Sequence, residues 1–155
     1  MADVKSVATP MSSGHILTFS SGEILHDPST YRATVESLQY LGLTKPDIAF
    51  AVNRLSQYMH QPLTLHWEAV KRVLRHLAGN ANMGIFFSVK APFNFHVYSD
   101  VDWAGNRDDY TSTGAYIAYL GRVPISWSSK KQIGVARSLT EAEYPALTAA
   151  GSEVK

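Results

Sequence analysis

The chain has 155 residues, 45% of them hydrophobic, enough for one globular domain or a small domain with an appendage. A net charge of +1 gives no blanket electrostatic case for a nucleic-acid partner, so such a case must come from local patches. The absence of cysteine removes disulfides, thiolate nucleophiles and Cys-type zinc sites together, and no apolar run approaches the roughly 18 residues of a membrane span.

Residues 1–28 are rich in Ser, Thr, Gly and Pro, with Ile16, Leu17 and Phe19 as scattered hydrophobics. They read as a poorly ordered lead-in, a simple extended tail with at most a short strand around His15–Phe19. The opening Met-Ala-Asp-Val-Lys-Ser has no apolar stretch of the kind a secretion signal needs, so neither an address tag nor a membrane partner is expected.

Three amphipathic helices are predicted next. The first covers about Pro28–Leu41, with Tyr31, Val35, Leu38 and Leu41 at helical spacing and Gly42 as a stop. Pro46 and Asp47 suit the first turn of a second, whose apolar face is Ile48, Val52, Leu55 and Met59 and which Gln61-Pro62 ends. A third starts near Thr64 and aligns Trp67, Val70, Leu74 and Leu77 before Gly79. Its opposite side carries Lys71, Arg72 and Arg75, a solvated charged face by default and also one that suits a duplex groove. His60, His66 and His76 lie in this region without metal-like spacing and read as surface or rim histidines.

The pattern then changes to strands. Gly84–Lys90 and Phe93–Asp100 are predicted as two strands joined by a tight Lys90-Ala-Pro92 link. Thr113–Leu120 and Val123–Ser129 form a predicted hairpin across Gly121-Arg122. A last helix is expected from Ser138, carrying Ala142, Leu147 and Ala150, with Ser138-Leu-Thr-Glu141 as a capping box. The fold class is therefore α+β, helices first, then an antiparallel succession and one helix, with a boundary in the region 80–92.

Asp100 at a strand tip and Glu143 just inside a helix form the one pair of acids that two separate elements could present together. Magnesium prefers carboxylate oxygen and water, and a pair of Mg²⁺ ions about 3.5–4 Å apart can activate a water and stabilise a leaving alkoxide in phosphodiester hydrolysis. Asp102, two residues on, is the alternative ligand on the same side of the strand. On pattern alone, the plainer reading is a turn residue for Asp100 and a solvated first-turn acid for Glu143. Asp108 and Asp109 read as solvated turn acids. Lys130 and Lys131 could touch phosphates, although two lysines at a strand end more often guard an edge.

Six segments together resemble the polyprotein of copia-type long-terminal-repeat retrotransposons. They are Tyr31-Arg-Ala-Thr-Val-Glu-Ser-Leu-Gln-Tyr-Leu41, Thr44-Lys-Pro-Asp-Ile-Ala-Phe-Ala-Val-Asn53, His66-Trp-Glu-Ala-Val-Lys-Arg-Val-Leu-Arg75, Ser99-Asp-Val-Asp-Trp-Ala-Gly105, Ile125-Ser-Trp-Ser-Ser-Lys-Lys-Gln132 and Thr140-Glu-Ala-Glu-Tyr144. The resemblance implies that residues 29–87 match a helical, thumb-like remnant of the reverse transcriptase. It implies that 93–155 match the first half of a ribonuclease H-like domain, three antiparallel strands and one helix.

It also gives Asp100 and Glu143 the places of catalytic carboxylates and reverses the plainer reading of both. The implied activity is hydrolysis of the RNA strand of an RNA–DNA hybrid with Mg²⁺ or Mn²⁺. The polymerase's Tyr-x-Asp-Asp signature is absent, and the family's later nuclease carboxylates would fall beyond residue 155. The isolated chain is thus expected to be catalytically inactive. Its first strand would be left as an open edge through which the chain could self-associate.

Leu139 stands where the family usually has a second Ser, and Pro145 where it has a basic residue. Pro145 is expected to kink the last helix, or to make it restart, at a cost of about 3 kcal/mol or more. A remnant that holds nucleic acid through Lys71, Arg72, Arg75, Lys130 and Lys131 without cutting it is the second reading.

Overall fold

The computed structural model describes residues 5–154 apart from Ser13, His15, Ser21, Val89 and Ala91. The fold is α+β, in two compact units, Met1–Gly84 and Ile85–Lys155.

In the first unit, α1 (Ser29–Leu41) follows Pro28, and Asp27 accepts a hydrogen bond from the Ser29 N–H (2.9 Å). Its buried stripe is Tyr31, Val35 and Leu38, as the spacing predicts. A single 3-10 turn at Pro46–Ile48 leads into α2 (Ala49–Ser56); Ile48 of the turn and Ala51, Val52 and Leu55 of the helix are buried. The helix ends short of Gln61, at Ser56. Tyr58, immediately beyond, turns inward and donates its hydroxyl to the Leu17 carbonyl (2.7 Å).

The third helix, α3 (Thr64–Gly79), has the predicted span but a rotated face. Its buried residues are His66, Val70, Val73 and His76, while Trp67, Leu74 and Leu77 are only partly buried against the core. Two of the histidines read as surface residues are therefore interior. The reason is polar. His66 Nδ1 accepts the Leu63 N–H (3.0 Å), and His76 Nε2 meets the Asp47 carboxylate (3.0 Å), so each ring enters the core with its nitrogens satisfied.

The lead-in differs most from a simple tail. Leu17 joins the core at 4% exposure, and the carbonyls of Val7, Thr9, Leu17 and Thr18 meet His76, Arg72, Tyr58 and His66. Composition misses this because the contacts use backbone carbonyls, which every sequence has. No strand forms at 16–19, and His15 lies outside the described residues.

In the second unit, β1 (Phe95–Asp102), β2 (Thr113–Leu120) and β3 (Val123–Lys131) form an antiparallel sheet in the order β1-β2-β3. The strand predicted at 84–90 does not form over 84–88; Val89 and the Ala91 of the predicted tight link lie outside the described residues. The hairpin turn holds Gly121 at φ +63°, a left-handed conformation that glycine adopts at no steric cost. Helix α4 (Leu139–Ser152) packs across β1 and β2, burying Ala142, Ala146 and Ala150, with Ala146 against Gly114. Leu147, predicted on that face, is 56% exposed.

Candidate functional site

Three consecutive residues of β1 and one helix wall build the acidic cleft. Ser99, Asp100 and Val101 line one side, and Glu143, Ala146 and Leu147 the other, around a cavity of about 230 Å³. Strand alternation puts Val101, opposite Gly114, on the α4 face, and Asp100, opposite Ala115, on the other face. Asp100 is nonetheless among the residues that line the cleft, on a strand that is terminal in its sheet among the described residues. Its Oδ1 accepts the Val101 N–H (2.9 Å). Asp100 is not at the strand tip, since β1 continues to Asp102.

Asp102 does not join the pair. Its carboxylate lies against Gly105, where any side chain would collide with it. The turn beneath is held by the Ala104 N–H donating to Ser112 Oγ (3.2 Å), with Ala104 at φ +51°. Trp103 pins the same turn by donating Nε1–H to the Ala136 carbonyl (3.1 Å).

Glu143 sits in the first half of α4. Ser138 caps this helix by accepting the Glu141 N–H (3.2 Å), half of the expected capping box. The other half is displaced by one residue, because Glu141 accepts from the Arg137 N–H (2.7 Å) rather than from Ser138. Pro145 neither ends nor restarts the helix, which runs through it. Lacking an N–H, Pro145 still denies the Glu141 carbonyl its usual helical donor.

Among the described residues, no three His, Cys, Asp or Glu side chains converge in a way that could hold a metal ion. Asp100 and Glu143 are hard oxygen donors of the kind Mg²⁺ takes, so the donor chemistry fits a divalent cation. Their number falls short of what two ions require.

The predicted basic residues are divided between both units. Lys71 lies over the Trp67 ring (5.7 Å), and Arg72 donates to the Thr9 carbonyl and hydroxyl. Arg75 and Arg72 line a separate cleft of about 270 Å³ beneath Met11, Ile16 and Leu17, so this side of α3 is not a plain solvent face. Lys130 lines a groove of about 460 Å³ between the sheet and α4. Lys131 is paired with Asp109, which is thereby more than a solvated turn acid. Burial opposes ionisation of Asp109, but hydrogen bonds from Lys131 and Thr111 outweigh it and hold the carboxyl below its ordinary range.

The chain is 57% identical over its whole length to the Retrovirus-related Pol polyprotein from transposon RE2 of Arabidopsis thaliana. It is 55% identical over the same 155 residues to that from transposon RE1 of the same plant. Over its whole length the chain is therefore similar to a stretch of these Pol polyproteins. It spans 11% of the length of each of these two relatives. An uncharacterized mitochondrial protein of Arabidopsis thaliana is 39% identical over 99% of this chain, which covers 64% of that protein. No family model and no solved structure matches the chain.

Proposed function

We propose that the second unit of this chain carries the first two carboxylates of a ribonuclease H-type site, Asp100 from a strand and Glu143 from the helix packed on it. The observation that carries the reading is their meeting in one cleft despite their distance in sequence. The substrate class is an RNA–DNA hybrid. A divalent cation held by these oxygens would neutralise charge building on the leaving alkoxide and make a bound water more acidic. Asp100 and Glu143 would supply that cation's protein ligands on one side. Asp102, turned to Gly105, would not.

With two carboxylates the isolated chain is expected to bind Mn²⁺ or Mg²⁺ weakly and to leave the hybrid uncut. Titration with Mn²⁺ while recording amide resonances tests the site. Broadening should centre on Asp100, Val101 and Glu143 and vanish in the double variant Asp100→Asn, Glu143→Gln. Broadening elsewhere, or broadening that survives the double variant, would sink the proposal. A hybrid-cleavage assay tests the incompleteness separately: robust turnover abolished by Asp100→Asn would keep the site and refute the inactivity. A purely nucleic-acid-holding role has less support, because Arg72 and Lys131 already spend donors on Thr9 and Asp109.

A further inference from the structure

Val7, Thr9, Leu17 and Thr18 attach to the helices of the first unit through backbone carbonyls, and two of the side chains receiving them are histidines, the residue whose charge changes nearest neutral pH. His66 is fully buried, and its neighbours assign its tautomer. The Leu63 N–H can only donate, so Nδ1 is the bare nitrogen (3.0 Å). Nε2 therefore carries the proton and donates to the Thr18 carbonyl (3.1 Å). One residue earlier, the Leu17 carbonyl accepts from the Tyr58 hydroxyl (2.7 Å) and from Arg54 (3.3 Å).

Among the described residues, the titratable and charged groups whose contacts bear on this ring are Tyr58 and Arg54. Tyr58 stacks on the imidazole at 3.9 Å, and the Arg54 guanidinium lies 5.9 Å from the centre of the same Tyr58 ring. A second proton on Nδ1 would point at the Leu63 N–H, removing that donor's acceptor. It would also bury a cation near the permanent charge of Arg54.

We propose that His66 is an acid-sensitive latch: as the neutral imidazole it fastens residues 16–20 to the helical core, and protonation at Nδ1 releases them. The fastened state binds one proton fewer than the released one. Docking is therefore complete at neutral pH and weakens as pH falls. The Val7 carbonyl is held by a different ring, that of His76 (3.2 Å), whose other nitrogen faces the Asp47 carboxylate (3.0 Å). The Leu17–Thr18 end is therefore the one expected to let go. Release would open the cleft that Leu17 shares with Arg72 and Arg75.

The test is NMR on the full chain from about pH 7.5 to about pH 5, the range over which an imidazole titrates. Imidazole spectra should show the Nε2–H tautomer of His66 at neutral pH. As the pH falls, the Leu17 and Thr18 amides should move to released positions, the open population rising by up to about tenfold per pH unit below the free imidazole's pKa of about 6.5. The core residue Val73 should hold still. His66→Gln can still accept from Leu63 and donate to Thr18 but cannot titrate, so its Leu17 and Thr18 signals should stay docked at low pH. The latch is refuted by the Nδ1–H tautomer at neutral pH, by unmoved Leu17 and Thr18 signals, by Val73 moving with them, or by His66→Gln behaving as the native chain does.

Discussion

Asp109 illustrates how a single side chain can hold the end of a sheet. Its carboxylate accepts from the Thr111 N–H (3.1 Å), the Thr111 hydroxyl (2.6 Å) and Lys131, joining the loop after β1 to the last residue of β3. Because its pKa is held below the ordinary carboxylate range, the contact stabilises the fold above that range and is lost as pH falls through the lowered value. The pair is half exposed, so salt screens it and the effect is modest. Asp109→Asn should remove the acid-linked part of the Thr111 and Lys131 shifts and leave the rest of the sheet unchanged. A pH titration that moves Thr111 identically in the variant would refute this role. Tyr31 shows the opposite direction: burial pushes its hydroxyl well above the usual range, and it stays a neutral donor to the Leu55 carbonyl (2.7 Å).

At the scale of one element, α4 carries a local conflict. Ser138 gives it a good start and three alanines give it a close-packed face, yet Pro145 interrupts its hydrogen-bond ladder beside Glu143. Restoring an N–H with Pro145→Ala should stabilise the unit by about 2 kcal/mol. That is the interior-proline cost of about 3 kcal/mol less up to about 1 for the extra freedom of the unfolded chain. Urea melting followed on the second unit would measure it. An unchanged midpoint would mean that the helix has already absorbed the proline without loss. The same variant should sharpen any Mn²⁺ effect at Glu143, since that acid lies two residues before Pro145, inside the turn that lacks its hydrogen bond.

For the molecule as a whole, the two units invest in different interiors. The first fully buries Tyr31, Tyr58, Ile48, Leu55, Val35, Val70 and Val73. In the second, the buried hydrophobics are Ala118, Val123, Ala142, Ala146 and Ala150, while Phe93, Tyr98 and Ile133 stand exposed. Burying a large aliphatic or aromatic side chain contributes about 1.5–3 kcal/mol, and an alanine far less. Native-state hydrogen exchange in urea should therefore open β2 and β3 at lower denaturant than α1 and α3. Coincident opening of all four would contradict this ranking. The outer side of β1 is paired with no other strand among the described residues.

Periodicity alone located α1, α3, the β2–β3 hairpin and the start of α4, because apolar spacing, a glycine turn and a serine cap act over a few neighbouring residues. The two acids of the cleft were legible as residue types at promising ends of elements. Only packing decided that Asp100 and Glu143 share a cavity and that Asp102 turns to Gly105. Tertiary structure alone also drew His66 and His76 inside and tied Val7, Thr9, Leu17 and Thr18 to the helices. Those contacts rest on backbone carbonyls and ring nitrogens whose partners lie tens of residues away, and no local pattern encodes such a pairing.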